Sequence, residues 1–358
     1  MTIEKAIDGQ PPDVSRGLPV DWELARRTAV RLVGPGPDAP RAEAIELVRR
    51  LRSDARVAEG HVREVTGLGH GLPLLPADVV DRKDWSAAAI DGMAALTAGA
   101  TMPEVPGIAR ALTSRTAGLQ IGGLVSYLGG RVLGQYDPFG GTDGGGRLLL
   151  VAPNVHAART ALDVPAADFG LWVCLHEATH RLQFTAVPWL RDHFSGEVGK
   201  LLSLAGTQRN LTADKLPEIV RALRDSKGDS LAVVEALQGP EQRAVLDRLL
   251  AVTTLLEGHA DHVMDAVGPD VVPAVATIRA RFTQRRRGGG IIDRLLRALL
   301  GVEAKVRQYA VGRAFTDHVV LAAGMDGFNK VWESPATLPT RAELADPGAW
   351  LRRVHGMA

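Results

Sequence analysis

The stretch Trp172-Val173-Cys174-Leu175-His176-Glu177-Ala178-Thr179-His180-Arg181-Leu182-Gln183-Phe184 sets a His-Glu-x-x-His pattern inside a run with helical apolar spacing. On a helix, residues four apart stand one turn apart on a single face, so the imidazoles of His176 and His180 can converge on one point. That arrangement offers a Zn2+ ion two of its three protein ligands, with Glu177 beside the open coordination position as a general base. Trp172, Leu175 and Leu182 would bury one side of the helix and turn the three polar residues toward a cleft. A lone helical histidine is usually structural, but two at this spacing with a glutamate directly after the first are hard to explain by packing alone. Two alternatives stand beside the catalytic reading: a helix that merely presents two histidines, and a zinc site that only stabilises a scaffold.

A catalytic zinc needs a third protein ligand. The best segment for it is Leu255-Leu256-Glu257-Gly258-His259-Ala260-Asp261-His262. Glu257 and Asp261 are four apart and share a helical face, so Glu257 could ligate while Asp261 accepts a hydrogen bond from a ligand imidazole. His259 is the main rival for the third position and otherwise a supporting residue near it; His262 and His193 are further rivals. Burying this many charged and polar groups on one apolar helix would be costly without such a role.

Composition is that of an ordinary globular chain. Of 358 residues, 46% are apolar and 23% charged, and 42 basic residues against 41 acidic ones give a net charge of +1. Nothing there suggests a nucleic-acid binder. The single cysteine, Cys174, excludes an internal disulfide and reads as a small core residue. The polar N-terminus lacks a secretory signal and no run of about eighteen apolar residues occurs, which points to a cytoplasmic protein without a membrane span.

Residues 1–20 are polar and Pro-containing and are expected to form a disordered tail. Residues 21–358 are expected to form one mainly α domain with a small β element next to the His-Glu-x-x-His helix. Helical patterns run from Trp22 to Val33, from Ala42 to Glu59, from Asp81 onward with an aspartate as cap, and through most of the chain after Asp168, including 217–224, 230–237, Gln242–Val267 and Ile291–Leu321. Glycine pairs between Leu112 and Tyr136 suggest helices packed closely or a bent buried segment. Leu148-Leu149-Leu150-Val151 reads as a short buried or edge strand ahead of the metal helix, where an edge could hold an extended substrate by main-chain hydrogen bonds. The Gly-rich residues 140–146 lack the Lys-Ser/Thr ending of a phosphate loop, and Arg285-Arg286-Arg287 reads as a solvated loop.

His-Glu-x-x-His followed far downstream by Glu257-Gly258-His259-Ala260-Asp261 resembles the site of gluzincin metalloproteases, of which the membrane-embedded members have spans that this chain lacks. A closer resemblance, running through most of the chain, is to the zincin-like metallohydrolase family described as "coenzyme F420 biosynthesis associated". It rests on Asp81-Arg82-Lys83-Asp84-Trp85, Leu133-Gly134-Gln135-Tyr136-Asp137, Val151-Ala152-Pro153-Asn154, the His176–His180 motif, Glu257 to Asp265, Lys305-Val306-Arg307-Gln308-Tyr309 with Gly312 and Phe315, and Leu338-Pro339-Thr340. The resemblance implies a zinc-dependent hydrolase; the coenzyme in that description is an association, not a reaction. With Zn2+ on His176, His180 and Glu257, a metal-bound water would be activated by Glu177 for attack on a peptide or amide carbonyl. Tyr309 would then be the first candidate to donate to the developing oxyanion, ahead of His259 and His262.

Overall fold

The computed structural model describes residues 14–103, 107–141, 146–207, 239–287 and 302–357. The expected helices at 217–224 and 230–237 and the centre of the Gly-rich loop lie outside these residues. Within them the protein is mainly α with a three-stranded sheet, as expected. No helix among the described residues is long and apolar enough to cross a membrane.

The sheet is the frame on which the helices are laid. Its strands are β2 (Asp78–Val80), β4 (Gly134–Asp137) and β5 (Arg147–Val151), ordered β2-β5-β4, with β2 parallel and β4 antiparallel to β5. Strand β5 carries the run Leu148 to Val151 because both of its faces are covered. Leu148 and Leu150 join a core cluster with α2 (Arg41–Thr66), α5 (Ala152–Leu162) and α6 (Ala166–Thr185). Leu149 and Val151 face the opposite way, into a second cluster with α1 (Trp22–Leu32), α3 (Arg82–Thr97) and α4 (Gly107–Gly129). The period of two along a strand thus feeds two cores at once. Strand β5 is therefore the central strand, not the edge considered from its sequence; the edge beside α6 is β4.

The glycines of α4 do let helices pack closely. A Cβ at Gly118 or Gly122 would lie 2.6 Å from the carbonyl oxygen of Asp21 or Ala25, so α4 lies directly against α1. Helix α3 starts where expected, with Asp81 as N-cap accepting from the amides of Lys83 and Asp84. Residues 14–16, within the stretch expected as a tail, form strand β1 (Val14–Arg16), antiparallel to β3 (Thr101–Pro103); residues 1–13 lie outside the described ones.

The described residues of the second half of the chain are helical: α7 (Leu190–Thr207), α8 (Pro240–Ala266), α9 (Val275–Arg287), α10 (Val302–Phe328), then a short 3-10 turn (Asn329–Trp332) and the terminal helices α11 (Arg341–Ala345) and α12 (Pro347–His355). Helix α9 continues through Arg287, so the three arginines expected in a loop end a helix. Helices α8 and α10 enclose a third cluster with the C-terminal segments, built from Leu255, Val252, Phe315, Val319, Phe328, Trp332 and Trp350. They meet almost backbone to backbone: a Cβ on Gly258 would lie 2.1 Å from the carbonyl carbon of Gly312. Helix α6 lies between the first core and α8, and is buried on most of its circumference.

Candidate metal centre

Helix α6 brings His176 and His180 to the groove facing α8. Their Nε2 atoms stand 3.1 Å apart. Glu257 reaches across from α8, with Oε2 3.5 Å from His176 Nε2 and 3.9 Å from His180 Nε2. A tetrahedral zinc with bonds of about 2.0–2.2 Å holds neighbouring ligand atoms about 3.3–3.6 Å apart. The three edges, 3.1, 3.5 and 3.9 Å, lie around that span and average 3.5 Å, so small side-chain shifts would bring the atoms to the spacing such an ion requires. All three side chains are partly exposed, so the point between them is open to the surroundings. Among the described residues these are the ones that could jointly hold a metal; no fourth ligand joins them.

The electrostatics favour positive charge at this point. Burial opposes charge on His176, but the hydrogen bond to Glu257 and the fields of Glu177, Glu257 and Asp261 outweigh it and raise its pKa to about 9. Without metal, a proton on His176 therefore sits among the donors that would otherwise face the ion.

Glu177 points about a quarter-turn away from this groove, toward strand β4, and is largely buried. Gly134 at the start of β4 leaves room for it: a Cβ there would lie 2.6 Å from Glu177 Cγ and 3.0 Å from Oε1. The edge of the sheet and the base beside the metal ligands are thus in direct contact. Further along the same strand and helix, Tyr136, Arg181, Phe184, Thr185 and Pro188 line a cavity of about 320 Å3. Tyr136 and Phe184 pack with ring centroids 6.0 Å apart.

Residues around the ligands depart from expectation in two ways. Asp261 faces Arg279, whose Nη1 is 3.8 Å from its carboxylate and whose Nη2 donates to its carbonyl. Its influence on His176 is through its field. His259 is not among the ligand atoms: it is fully buried, stacked on Phe328 with ring centroids 4.9 Å apart, and burial lowers its pKa to about 3. The residue between His259 and the site is Gln183, which the motif did not single out. Its Oε1 lies 2.8 Å from His180 Nδ1, and its Nε2 lies 2.9 Å from the Leu256 carbonyl and 3.0 Å from His259 Nδ1. A glutamine three residues after the second histidine shares its helical face, and that spacing is the signal available in the sequence.

The remaining candidates lie elsewhere. His262 pairs with Asp317 on α10 at 2.6 Å, and His193 packs edge-on to Trp189 on α7. Tyr309 falls on α10 one turn before Gly312, at a position whose side chain lies outside the described residues. Cys174 is a buried free thiol in the first core, as expected. Arg181, next to His180, is buried against Glu59, which also binds Arg63; Arg181 further donates to the carbonyls of Leu75 and Pro76.

A helix bearing His-Glu-x-x-His, a glutamate from a later helix within reach of both histidines and a sheet edge against Glu177 together make a zincin-like arrangement. The zincin-like metallopeptidase family matches residues 20–351, and the chain belongs to it. A solved structure of similar fold, described as a putative hydrolase with a novel fold from Chloroflexus aurantiacus, is 31% identical with a TM-score of 0.65. The match covers 95% of this chain and all of that one. No curated protein matches the chain. Membership of this family implies a metal ion, typically zinc.

Proposed function

We propose that the protein is a zinc-dependent metallopeptidase or closely related amide hydrolase, with His176, His180 and Glu257 holding Zn2+ and Glu177 as general base. The observation that carries this reading is the convergence of the three ligand atoms within 3.1–3.9 Å, with a carboxylate directly after the first ligand and against the sheet edge. When bound, the zinc would supply Lewis acidity, bringing the pKa of a water toward neutrality and polarising the scissile carbonyl.

The protein's own groups do the rest. Glu177 takes the proton of the attacking water and passes it to the leaving nitrogen, and its enclosure against β4 keeps it aimed along one path. Among the described residues β4 is the outer strand on that side, and an extended substrate segment is proposed to pair with it and lie over Glu177. The cavity beside Tyr136 and Phe184 then receives a large apolar side chain of that segment. Tyr309, one turn from the α8–α10 crossing, is proposed to donate to the oxyanion.

Retention of Glu177 weighs against a zinc that only ties helices together, because a structural site has no use for a general base. Seating His259 behind Gln183 instead of among the ligands weighs the same way. The test is zinc content by elemental analysis with hydrolysis of a mixed peptide library, on wild type, Glu177→Gln and Glu257→Ala. One zinc per chain in wild type and Glu177→Gln, less in Glu257→Ala, and turnover in wild type alone is expected. A wild type that binds no zinc after reconstitution would overturn the metal site; full zinc with turnover undiminished in Glu177→Gln would overturn the role of the base.

A further inference from the structure

We infer that Gln183 is the positioning residue that fixes the tautomer of His180 and thereby sets the affinity of the metal centre; this rests on the zinc-site reading above. The inference follows from donors and acceptors alone. The backbone carbonyl of Leu256 can only accept, so the Gln183 atom 2.9 Å from it must be the amide nitrogen. The orientation of the amide is then forced, and Oε1 is the atom facing His180 Nδ1 at 2.8 Å. An amide oxygen also only accepts, so His180 Nδ1 must carry the proton. In the neutral form that a metal requires, the single N–H is then the one on Nδ1, and the Nε2 lone pair is directed toward His176 Nε2 and Glu257. The other amide hydrogen of Gln183 goes to His259 Nδ1 at 3.0 Å, which makes that nitrogen the acceptor and anchors the amide on two sides.

Both anchors, Leu256 and His259, belong to α8, the helix that also supplies Glu257. Helix α8 therefore provides one ligand directly and orients another through Gln183. Gln183 is fully buried, so its hydrogen bonds do not compete with bulk water. Groups that hold the second nitrogen of a ligating histidine typically change metal affinity about 10–100-fold when removed.

The experiment measures the zinc dissociation constant by competition with a chelator for wild type, Gln183→Met and Gln183→Glu. Thermal midpoints of the metal-free forms are recorded alongside. Gln183→Met keeps the volume and removes the acceptor, and is expected to weaken zinc binding about 10–100-fold. Gln183→Glu keeps an acceptor opposite His180 Nδ1 but gives up the N–H donors to Leu256 and His259, and is expected to bind zinc less tightly than wild type and more tightly than Gln183→Met. Methionine binding zinc within threefold of wild type, or glutamate as weak as methionine, overturns the inference; in a role confined to packing the midpoints shift while the zinc affinities do not separate. Nitrogen-15 NMR of histidine-labelled, metal-free wild type supplies a readout that needs no variant. His180 protonated at Nδ1 and bare at Nε2 is expected, and the opposite tautomer overturns the inference. Zinc absent from wild type would overturn the site reading, and the NMR measurement would still decide the tautomer.

Discussion

Replacing Gly258 by alanine is the sharpest test of how the site is built. The residue follows ligand Glu257, and an added Cβ would lie 2.1 Å from the carbonyl carbon of Gly312, 2.4 Å from its oxygen and 2.5 Å from the Arg313 amide. All three are backbone atoms, so no side chain can rotate away. Restoring an ordinary contact of about 3.5 Å requires α8 and α10 to part by about 1.4 Å at the crossing. Helix propensity favours alanine by about 1 kcal/mol, but overpacking of this kind costs about 1–3 kcal/mol or more, and parted helices lose dispersion contacts along Leu255, Phe315 and Val319. A net destabilisation of about 1–2 kcal/mol is expected from denaturant titration of the metal-free protein, accompanied by weaker zinc binding because Glu257 moves with its helix. Gly312→Ala meets the carbonyl oxygen of Thr254 at 2.1 Å and should behave alike. Once the helices have parted the second alanine adds little, so the double variant should lose less than the two singles combined. Gly60, within α2 with nothing inside 4 Å of its added Cβ, is the control of opposite sign, and alanine there should stabilise by up to about 1 kcal/mol. Gly258→Ala as stable as wild type would refute the close crossing.

Three further changes probe separate parts of the structure. Gly134→Ala pushes a methyl group against Glu177, forcing a shift of roughly 0.8 Å; turnover on a peptide substrate should fall about 10–100-fold with zinc content unchanged, and unchanged turnover would separate β4 from the base. Glu59→Ala leaves Arg63 and Arg181 without their shared carboxylate and should destabilise by about 3–5 kcal/mol in denaturant, a loss below about 1 kcal/mol counting against the buried triad. Burial raises the pKa of Asp54 to about 6, from an ordinary 3.8, so the folded state holds this proton more tightly than the unfolded chain does. That contribution is complete below about pH 3.8 and is lost as pH rises through 6. Asp54→Asn should therefore be the more stable form at pH 7.5 by about 1 kcal/mol, the full shift being discounted for partial exposure, and the difference should vanish near pH 4.

Much of the metal centre was legible because its chemistry is local. His176, Glu177 and His180 are fixed by one helical turn, and Glu257 stood out because a glutamate four residues before an aspartate on an apolar helix needs a reason to be there. What failed depended on chain segments meeting in three dimensions. The spacing offers Asp261 as an acceptor for a ligand imidazole, but Arg279 on the next helix engages it. Gln183 went unnoticed because its role requires the Leu256 carbonyl, 73 residues further on. Periodicity could not say which strand lies at the sheet edge, although the unbroken apolar run of β5 already favours a strand covered on both faces.

The motif blocks outside the metal ligands turn out to hold the frame. Arg82 Nε donates to Asn154 Oδ1 at 2.6 Å, and Asn154 Nδ2 donates to the carbonyls of Gly129 and Val132 just before β4. Trp85 Nε1 donates to Gln135 on β4 itself. Three stretches far apart in sequence thereby clamp the strand whose first residue touches Glu177. The sequence assigns these polar groups no role beyond carrying the resemblance, and their partners reveal them as supports for the edge strand.

The way the cores are distributed separates a catalytic zinc from a structural one. The three apolar clusters draw on the sheet and on every helix from α1 to α12, and His176, His180 and Glu257 belong to none of them. Helix α6 is joined to α8 by Gln183, and α8 to α9 and α10 by a chain of ion pairs running from Asp261 through Arg279, Asp265 and Arg313 to Asp317 and His262. Removing the ion leaves these links in place. The metal-free protein should therefore keep its far-UV circular dichroism and unfold cooperatively. Zinc should add only the stabilisation that binding brings by mass action, about 4 kcal/mol at a thousandfold excess over the dissociation constant. A zinc whose task is to tie two helices together demands the other result: loss of helical signal on chelation, as in small domains that are unfolded without their metal. Chelation followed by spectroscopy and a thermal scan distinguishes the two, and a chain that unfolds when its zinc is withdrawn would return the site to a scaffold.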